Sequence, residues 1–339
     1  MQSFFARAPM QFMLHQVDLP PFADDDVLVK IRACGVCGWD VLCAQEVNRD
    51  WRGIGHELSG EIVRVGSRVQ GFQPGGRVAV ENSTVCGQCE QCKRGNVLHC
   101  SRIRSTFGDG PGGFSEFAQV KASALNPIGS LDFRAAALAE PLTVALDLVE
   151  AAEIPLGGRV AVFGPGPIGL MAARLALLRG ASRVYLTGRA YTTRRWEVAR
   201  QLGVTDCVYI DQVDLHEYFR GCEPSGLDRV LVTAPPAAVQ DAARLCRFGG
   251  IIAYNGIQFG AAANITLDGN AFHFNRLQLR GVHSIPNLGW PQAVDLLTRR
   301  VIDPDLWITQ VFPFAETPEA VRFSANHHAE TVKVMVDIG

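Results

Sequence analysis

The sequence has no surplus of charge. Its 339 residues carry 32 Lys and Arg against 34 Asp and Glu, a formal net charge of −2. That balance gives no electrostatic basis for binding nucleic acid or an anionic membrane surface. A long apolar run is missing too: the most hydrophobic stretch, Val160 to Ala173, is interrupted by Gly and Pro and is too short to cross a bilayer. The opening "MQSFFARAPMQFMLHQ" lacks the basic segment, sustained apolar stretch and small-residue cleavage site of a secretory leader, so a cytoplasmic protein is expected. Repeats, low-complexity tracts and long charge runs are also lacking, which excludes a repeat array or a disordered chain.

What is present is a folded-protein composition, 47% hydrophobic and 19% charged, on a chain long enough for two ordinary domains. The first half is turn-rich, with short β-branched runs such as "DDVLVKIRACGVC", "GHELSGEIVRVGS" and "GGRVAVENS", and predicts a small antiparallel, barrel-like domain. From about residue 150 short buried strands alternate with helices: "RVAVFG" leads into "PIGLMAARLALLRG" and "RVYLTG" into "TTRRWEVARQLG". Such alternation predicts a parallel sheet covered by helices on both faces. The tail returns to mixed character and ends in the strand "VKVMVDI".

Ten cysteines without a leader are expected to stay as thiols or to bind metal. The stretch "CGQCEQCKRGNVLHC" spaces Cys86, Cys89, Cys92 and Cys100 by two, two and seven residues. Four thiolates on a short loop suit the closed tetrahedral site of structural zinc, although iron–sulfur clusters use related spacings. His99 beside the last thiol is read as a bystander.

A second motif, "FGPGPIG", follows one strand and opens a helix with Gly164, Gly166, Pro167, Ile168 and Gly169. Glycine lets the backbone approach a pyrophosphate, and the helix start supplies free N–H groups and a positive dipole end. The strand–turn–helix–strand setting reads as a dinucleotide site. At the end of the next strand, where a carboxylate would bind the adenosine ribose, stand Gly188 and Arg189, with Arg194 and Arg195 further on. Without that carboxylate a 2′-phosphate is not repelled, and guanidinium groups can hold it, so NADP(H) is favoured over NAD(H). The alternative is that Arg194 and Arg195 begin a solvated helix face.

A third group is scattered. "CGVCGWDVLC" holds Cys34, Cys37 and Cys43, "GIGHELSG" holds His56 and Glu57, and "ALAEPLTVAL" holds Glu140. A thiol, an imidazole and carboxylates meeting at one point would fit a catalytic zinc that keeps a position open for substrate.

Together these stretches resemble the zinc-dependent medium-chain alcohol and polyol dehydrogenases, including sorbitol and threonine dehydrogenases. The resemblance spans essentially the whole chain. It implies an α/β protein with a chaperonin-10-like, β-rich catalytic domain over 1–148 and 287–339, and a Rossmann doubly wound parallel sheet over 149–286. It implies two zinc ions per chain, with Cys37, His56 and Glu140 at the catalytic one and Cys34 and Cys43 as small buried side chains. Glutamate at position 140 points to the polyol branch. Glu57 matches a carboxylate able to approach the metal, and Asp40 a partner orienting the His56 ring. The implied reaction moves a hydride between a secondary alcohol and the nicotinamide, in a homodimer or homotetramer acting on a small alcohol or ketone.

One part of the family pattern is missing. Many relatives carry Ser or Thr two residues after the cysteine ligand, and some carry His five after it, as a proton relay; here Trp39 and Leu42 stand there, and neither can relay a proton. Either Glu57 or Glu140 takes over proton transfer, or Trp39 walls or stacks on a bulky or ring-shaped substrate. Two other readings stay open: an NADPH-dependent reductase of an activated C=C or C=N bond, and a non-enzymatic nucleotide- and zinc-binding protein. No basic cluster singles out a phosphorylated sugar.

Overall fold

A computed structural model describes residues 1–107 and 110–339. The chain divides into two compact units, residues 1–143 with 285–339, and residues 144–284.

The first unit is β-rich. Its larger sheet runs, in spatial order, through Leu125–Pro127, Arg77–Val80, Glu57–Val65, Asp26–Gly35, Lys333–Asp337 and Ile308–Pro313, with Phe117–Lys121 also paired to Asp26–Gly35. The β-branched run of Asp26–Gly35 turns Val27, Val29 and Ile31 inward, where they meet Leu58, Ile62, Val78, Val80, Val334 and Val336 in one core. The alternating pattern of these strands therefore reports one buried face. Two antiparallel registers position the site: Gly35 faces Glu57 on one side and Met335 on the other. Residues 37, 56, 57 and 333 consequently gather at one end of three neighbouring strands, although the last is supplied by the chain's closing segment.

The second unit is a parallel sheet in the order Asp206–Tyr209, Arg183–Gly188, Arg159–Phe163, Leu227–Val232, Cys246–Tyr254, Gln278–Gly281. Every neighbouring pair in it is parallel. Helices Pro167–Leu178, Thr193–Gln201, Leu215–Cys222 and Ala238–Leu245 supply the connections between successive strands. The strand order reverses beside Arg159–Phe163, and crevices for dinucleotides lie at the carboxyl ends of strands at such a reversal. No helix among the described residues is long and apolar enough to cross a membrane.

Candidate active site

Local sequence builds the first part of the site. Cys37 caps the short helix Gly38–Leu42, its Sγ accepting from the Trp39 N–H at 3.4 Å while the Cys37 N–H donates to Asp40 Oδ2 at 2.9 Å. The Cys37–Asp40 spacing is thus a capping box written with a thiol and an aspartate. The other carboxylate oxygen of Asp40 accepts from the Gly55 N–H at 2.8 Å and lies 3.4 Å from His56 Nδ1. One buried carboxylate therefore ties the cysteine loop to the histidine loop and sets the face of the imidazole.

Strand register builds the rest. Donor atoms of Cys37, His56 and Glu57 all lie within 4.8 Å of one another. Both oxygens of Glu57 accept from Lys333 Nζ, at 2.6 and 2.7 Å, and the same ammonium donates to the Val36 carbonyl at 3.1 Å. Gly35 makes room for this arrangement, because a Cβ there would fall 2.2 Å from Glu57 Oε2. Glu140, in the first turn of Ala139–Ala152, stands outside the 4.8 Å group, with Oε1 accepting from Asn82 Nδ2 at 2.8 Å. It is nonetheless near enough for His56, Glu57, Lys333 and Asp40 to bear on its charge.

The electrostatics are those of a buried anionic group. Burial raises the Cys37 thiol and moves the Glu140 carboxyl up to about 7. Burial alone would lower His56, but Asp40 and Cys37 outweigh it and raise the imidazole well above its ordinary value. Lys333 behaves alike: burial opposes its charge and the Glu57 carboxylate more than restores it. Asp40 is held low against burial, chiefly by His56. A thiol, a ring nitrogen and carboxylates turned toward one point form a donor set that fits a borderline-soft cation such as zinc.

The sulfurs of Cys86, Cys89, Cys92 and Cys100 form a second group within 4.8 Å. Cys86 and Cys100 Sγ lie 3.6 Å apart and Cys89 and Cys100 Sγ 3.9 Å apart. A tetrahedron of thiolates about 2.3 Å from a central zinc has edges of about 3.8 Å, so these sulfurs fit the ion and are too far apart for disulfides. Backbone N–H groups of Cys92 and Ser101 hold the Cys89 thiol down at about 5. Cys34 and Cys43 are buried apart from both groups.

In the second unit Gly164 adopts φ +109°, a region that favours glycine, and its N–H donates to the Thr187 carbonyl at 3.0 Å. A Cβ at Gly169 would lie 1.9 Å from the Gly164 carbonyl oxygen, whereas one at Gly166, which caps Pro167–Leu178, would meet nothing within 4 Å. The first and third glycines thus allow helix–strand packing, and the middle one leaves the approach to the helix start clear. Ile168 follows in the first helical turn. A Cβ at Gly188 would come within 2.6 Å of the Pro165 ring, so no carboxylate fits there without displacement. Arg189 is exposed, and Arg194 pairs with Glu197 at 2.9 Å.

Reasoning from sequence overlooked Lys333, Asn82 and Gly35. A lysine inside the apolar run "VKVMV" is the one signal that could have exposed the first, since a buried ammonium needs a carboxylate. Asn82 and Gly35 carry no signal outside the fold.

Beside Asn82, Glu81 has its carboxyl raised from 4.5 to about 7 by burial, against a hydrogen bond from Asn126. The folded state therefore holds this proton more tightly than the unfolded chain, and stability from this group declines as pH climbs from 4.5 to about 7. Glu81→Gln cannot ionise, so it is expected to stabilise the protein at pH 8 and leave it nearly unchanged at pH 4.5. Urea unfolding of both proteins at the two pH values checks this, and an equal effect at both would refute it.

A β-rich unit carrying a mixed thiol, imidazole and carboxylate group, and a Rossmann unit with a glycine-lined turn, define a metal-dependent oxidoreductase that uses a nicotinamide nucleotide. Residues 23–130 match the alcohol dehydrogenase GroES-like domain, and residues 167–299 match the zinc-binding dehydrogenase domain. The chain is 30% identical to the sorbitol dehydrogenase of Bacillus subtilis (strain 168), over 96% of its own length and 94% of the relative's. A solved structure described as a zinc-binding dehydrogenase from Sinorhizobium meliloti 1021 bound to NADP superposes with a TM-score of 0.88 at 29% identity, covering 99% of this chain and 98% of that one. An alcohol dehydrogenase from E. coli CFT073 complexed with NADH gives 0.90 at 25% identity, covering 99% of both chains. The chain belongs to the zinc-dependent medium-chain alcohol and polyol dehydrogenases, oxidoreductases that use NAD(P).

Proposed function

We propose that this enzyme oxidises a secondary alcohol of the polyol type, or reduces the matching ketone, with NADP(H) favoured over NAD(H) and two zinc ions per chain. The convergence of Cys37, His56 and Glu57 within 4.8 Å, with Glu140 beside them, carries the reading. Cys37, His56 and Glu140 would hold the catalytic ion, with Glu57 able to approach it, and the four-cysteine lobe would hold the structural one. Zinc, when bound, supplies the Lewis acidity that polarises the substrate oxygen.

The chain's own residues supply orientation and charge. Asp40 fixes the His56 ring, so the imidazole meets a cation from one side only. Lys333 donates to both oxygens of Glu57 and so sets the place from which that carboxylate faces the ion. Glycines 164, 166 and 169 and the following helix start would receive the pyrophosphate. Steric exclusion of a carboxylate at Gly188, with Arg189 exposed next to it and Arg194 nearby, supports preference for a 2′-phosphate. A homodimer or homotetramer in the cytoplasm completes the proposal and rests on the family alone.

The test is a panel of polyols and ketones with both nucleotides, followed at the nicotinamide absorbance together with zinc analysis. Two zinc ions per chain, and turnover of polyols with the higher kcat/KM on NADP⁺, are expected. Turnover confined to an unsaturated acceptor would defeat the polyol reading, and a higher kcat/KM on NAD⁺ would defeat the nucleotide preference.

Trp39 is 38% exposed on the helix that Cys37 caps. If its ring stacks on substrate, Trp39→Ser is expected to lose about 1 kcal/mol, roughly fivefold in kcat/KM, on ring-shaped or bulky alcohols and little on small ones. A uniform effect across the panel would leave Trp39 a packing role only.

A further inference from the structure

Asn82 sits at a junction. Its Nδ2 donates to Glu140 Oε1 at 2.8 Å, across 58 residues of sequence. Its backbone carbonyl accepts from the Thr106 N–H at 3.0 Å, and Thr106 Oγ1 donates to the preceding backbone carbonyl, that of Glu81, at 2.5 Å. Immediately beyond, Ser83 pairs with Ser105 and Thr84 with Arg104. These two short strands form the neck of the loop that carries Cys86, Cys89, Cys92 and Cys100. On the other side the Glu81 N–H donates to the Ala124 carbonyl at 2.8 Å. Asn82 is thus held by backbone bonds on both sides, and its amide meets a carboxylate that is itself buried.

A glutamate side chain has three rotatable bonds and loses rotamer freedom when it is fixed. A donor already fixed in place lowers that cost at the moment a cation binds, because the carboxylate is oriented beforehand. It also occupies one oxygen and leaves the other for the cation.

We propose that Asn82, fixed at the neck of the four-cysteine lobe, is a positioning residue that presents Glu140 to the catalytic zinc through a single carboxylate oxygen. This rests on the reading of Glu140 as a ligand. The lobe then has a task beyond its own stability, since its neck sets the place of the amide that aims a ligand.

Zinc affinity tests it, measured by chelator competition on the full-length protein. The site that disappears in Cys37→Ser identifies the catalytic ion. Asn82→Ala is expected to weaken that site about tenfold and leave the four-cysteine site unchanged. Glu140→Ala is expected to weaken it at least as much, and the double variant no further, because both act through one carboxylate. In cobalt-substituted protein the visible bands should shift in Asn82→Ala, a change that a purely structural role would not produce. If Ala folds poorly, Asn82→Ser provides the same measurement. Unchanged or tighter zinc binding in the Asn82 variants, with Glu140→Ala weakened, would overturn the positioning role alone. Full affinity in Glu140→Ala would remove Glu140 as a ligand and the proposal with it.

Discussion

Replacing Lys333 by Met is expected to destabilise the protein by about 3–5 kcal/mol, as removal of one partner from a buried ion pair does. The side chains of Lys333 and Glu57 are 3% and 1% exposed, and the ammonium bonds both carboxylate oxygens and the Val36 carbonyl. Without it the Glu57 charge stays buried next to Asp40 and Glu140, and the other cation of the site, His56, is already shared with Asp40. The double variant Lys333→Met with Glu57→Gln removes both charges and keeps similar volumes, so it is expected to recover most of the loss. Urea unfolding of zinc-depleted wild type and the three variants gives the cycle. A Lys333→Met loss below about 1 kcal/mol would show that the pair is not a buried one in solution. In zinc-loaded protein the loss is expected to be smaller, because a bound cation would take over part of the neutralisation of Glu57.

Asp40→Ala is expected to lower the affinity of the Cys37 site for zinc by about 10- to 100-fold, with turnover falling alongside. The carboxylate accepts from the backbone N–H groups of Cys37 and Gly55 and faces His56 Nδ1, so its removal frees the ring and both loops. Asp40→Ala also removes the N3 half of the capping box, so the start of Gly38–Leu42 is weakened while Cys37 still caps it. Asp40→Asn is expected to fall between, since an amide has one accepting oxygen for two N–H donors and turns its own NH₂ toward the other. Zinc content after dialysis against a chelator, beside kcat and KM, measures the effect. Zinc retained at the Cys37 site of Asp40→Ala as fully as in the wild type would exclude the role.

Much of this protein could be read from its sequence wherever the chemistry is local. The four cysteines lie within fifteen residues, and a loop that short brings its thiols together in any fold that keeps it. The glycine turn sits between a strand and a helix whose periodicities are plain. Cys37 and Asp40 stand three apart, the spacing at which a helix cap and its third residue exchange hydrogen bonds. The parallel unit and the mainly antiparallel one also followed from pattern, because alternation and buried runs report which faces of a strand are covered, but the parallel pairing of Ile308–Pro313 with Lys333–Asp337 in the first unit did not.

The rest was decided by register and crossing, which no short stretch encodes. Lys333 meets Glu57 across 276 residues because the closing strand pairs antiparallel with Asp26–Gly35 at Met335 and Gly35. Gly35 is required because the neighbouring strand places Glu57 opposite it. Asn82 meets Glu140 because a lobe neck and a helix start converge. The sequence determined which side chains were available for a metal and a nucleotide, since local spacing fixes what a loop or helix turn can offer. Only the tertiary structure decided which carboxylate is neutralised by an ammonium and which is held by an amide. Those pairings depend on how strands remote in sequence align to bury their apolar faces.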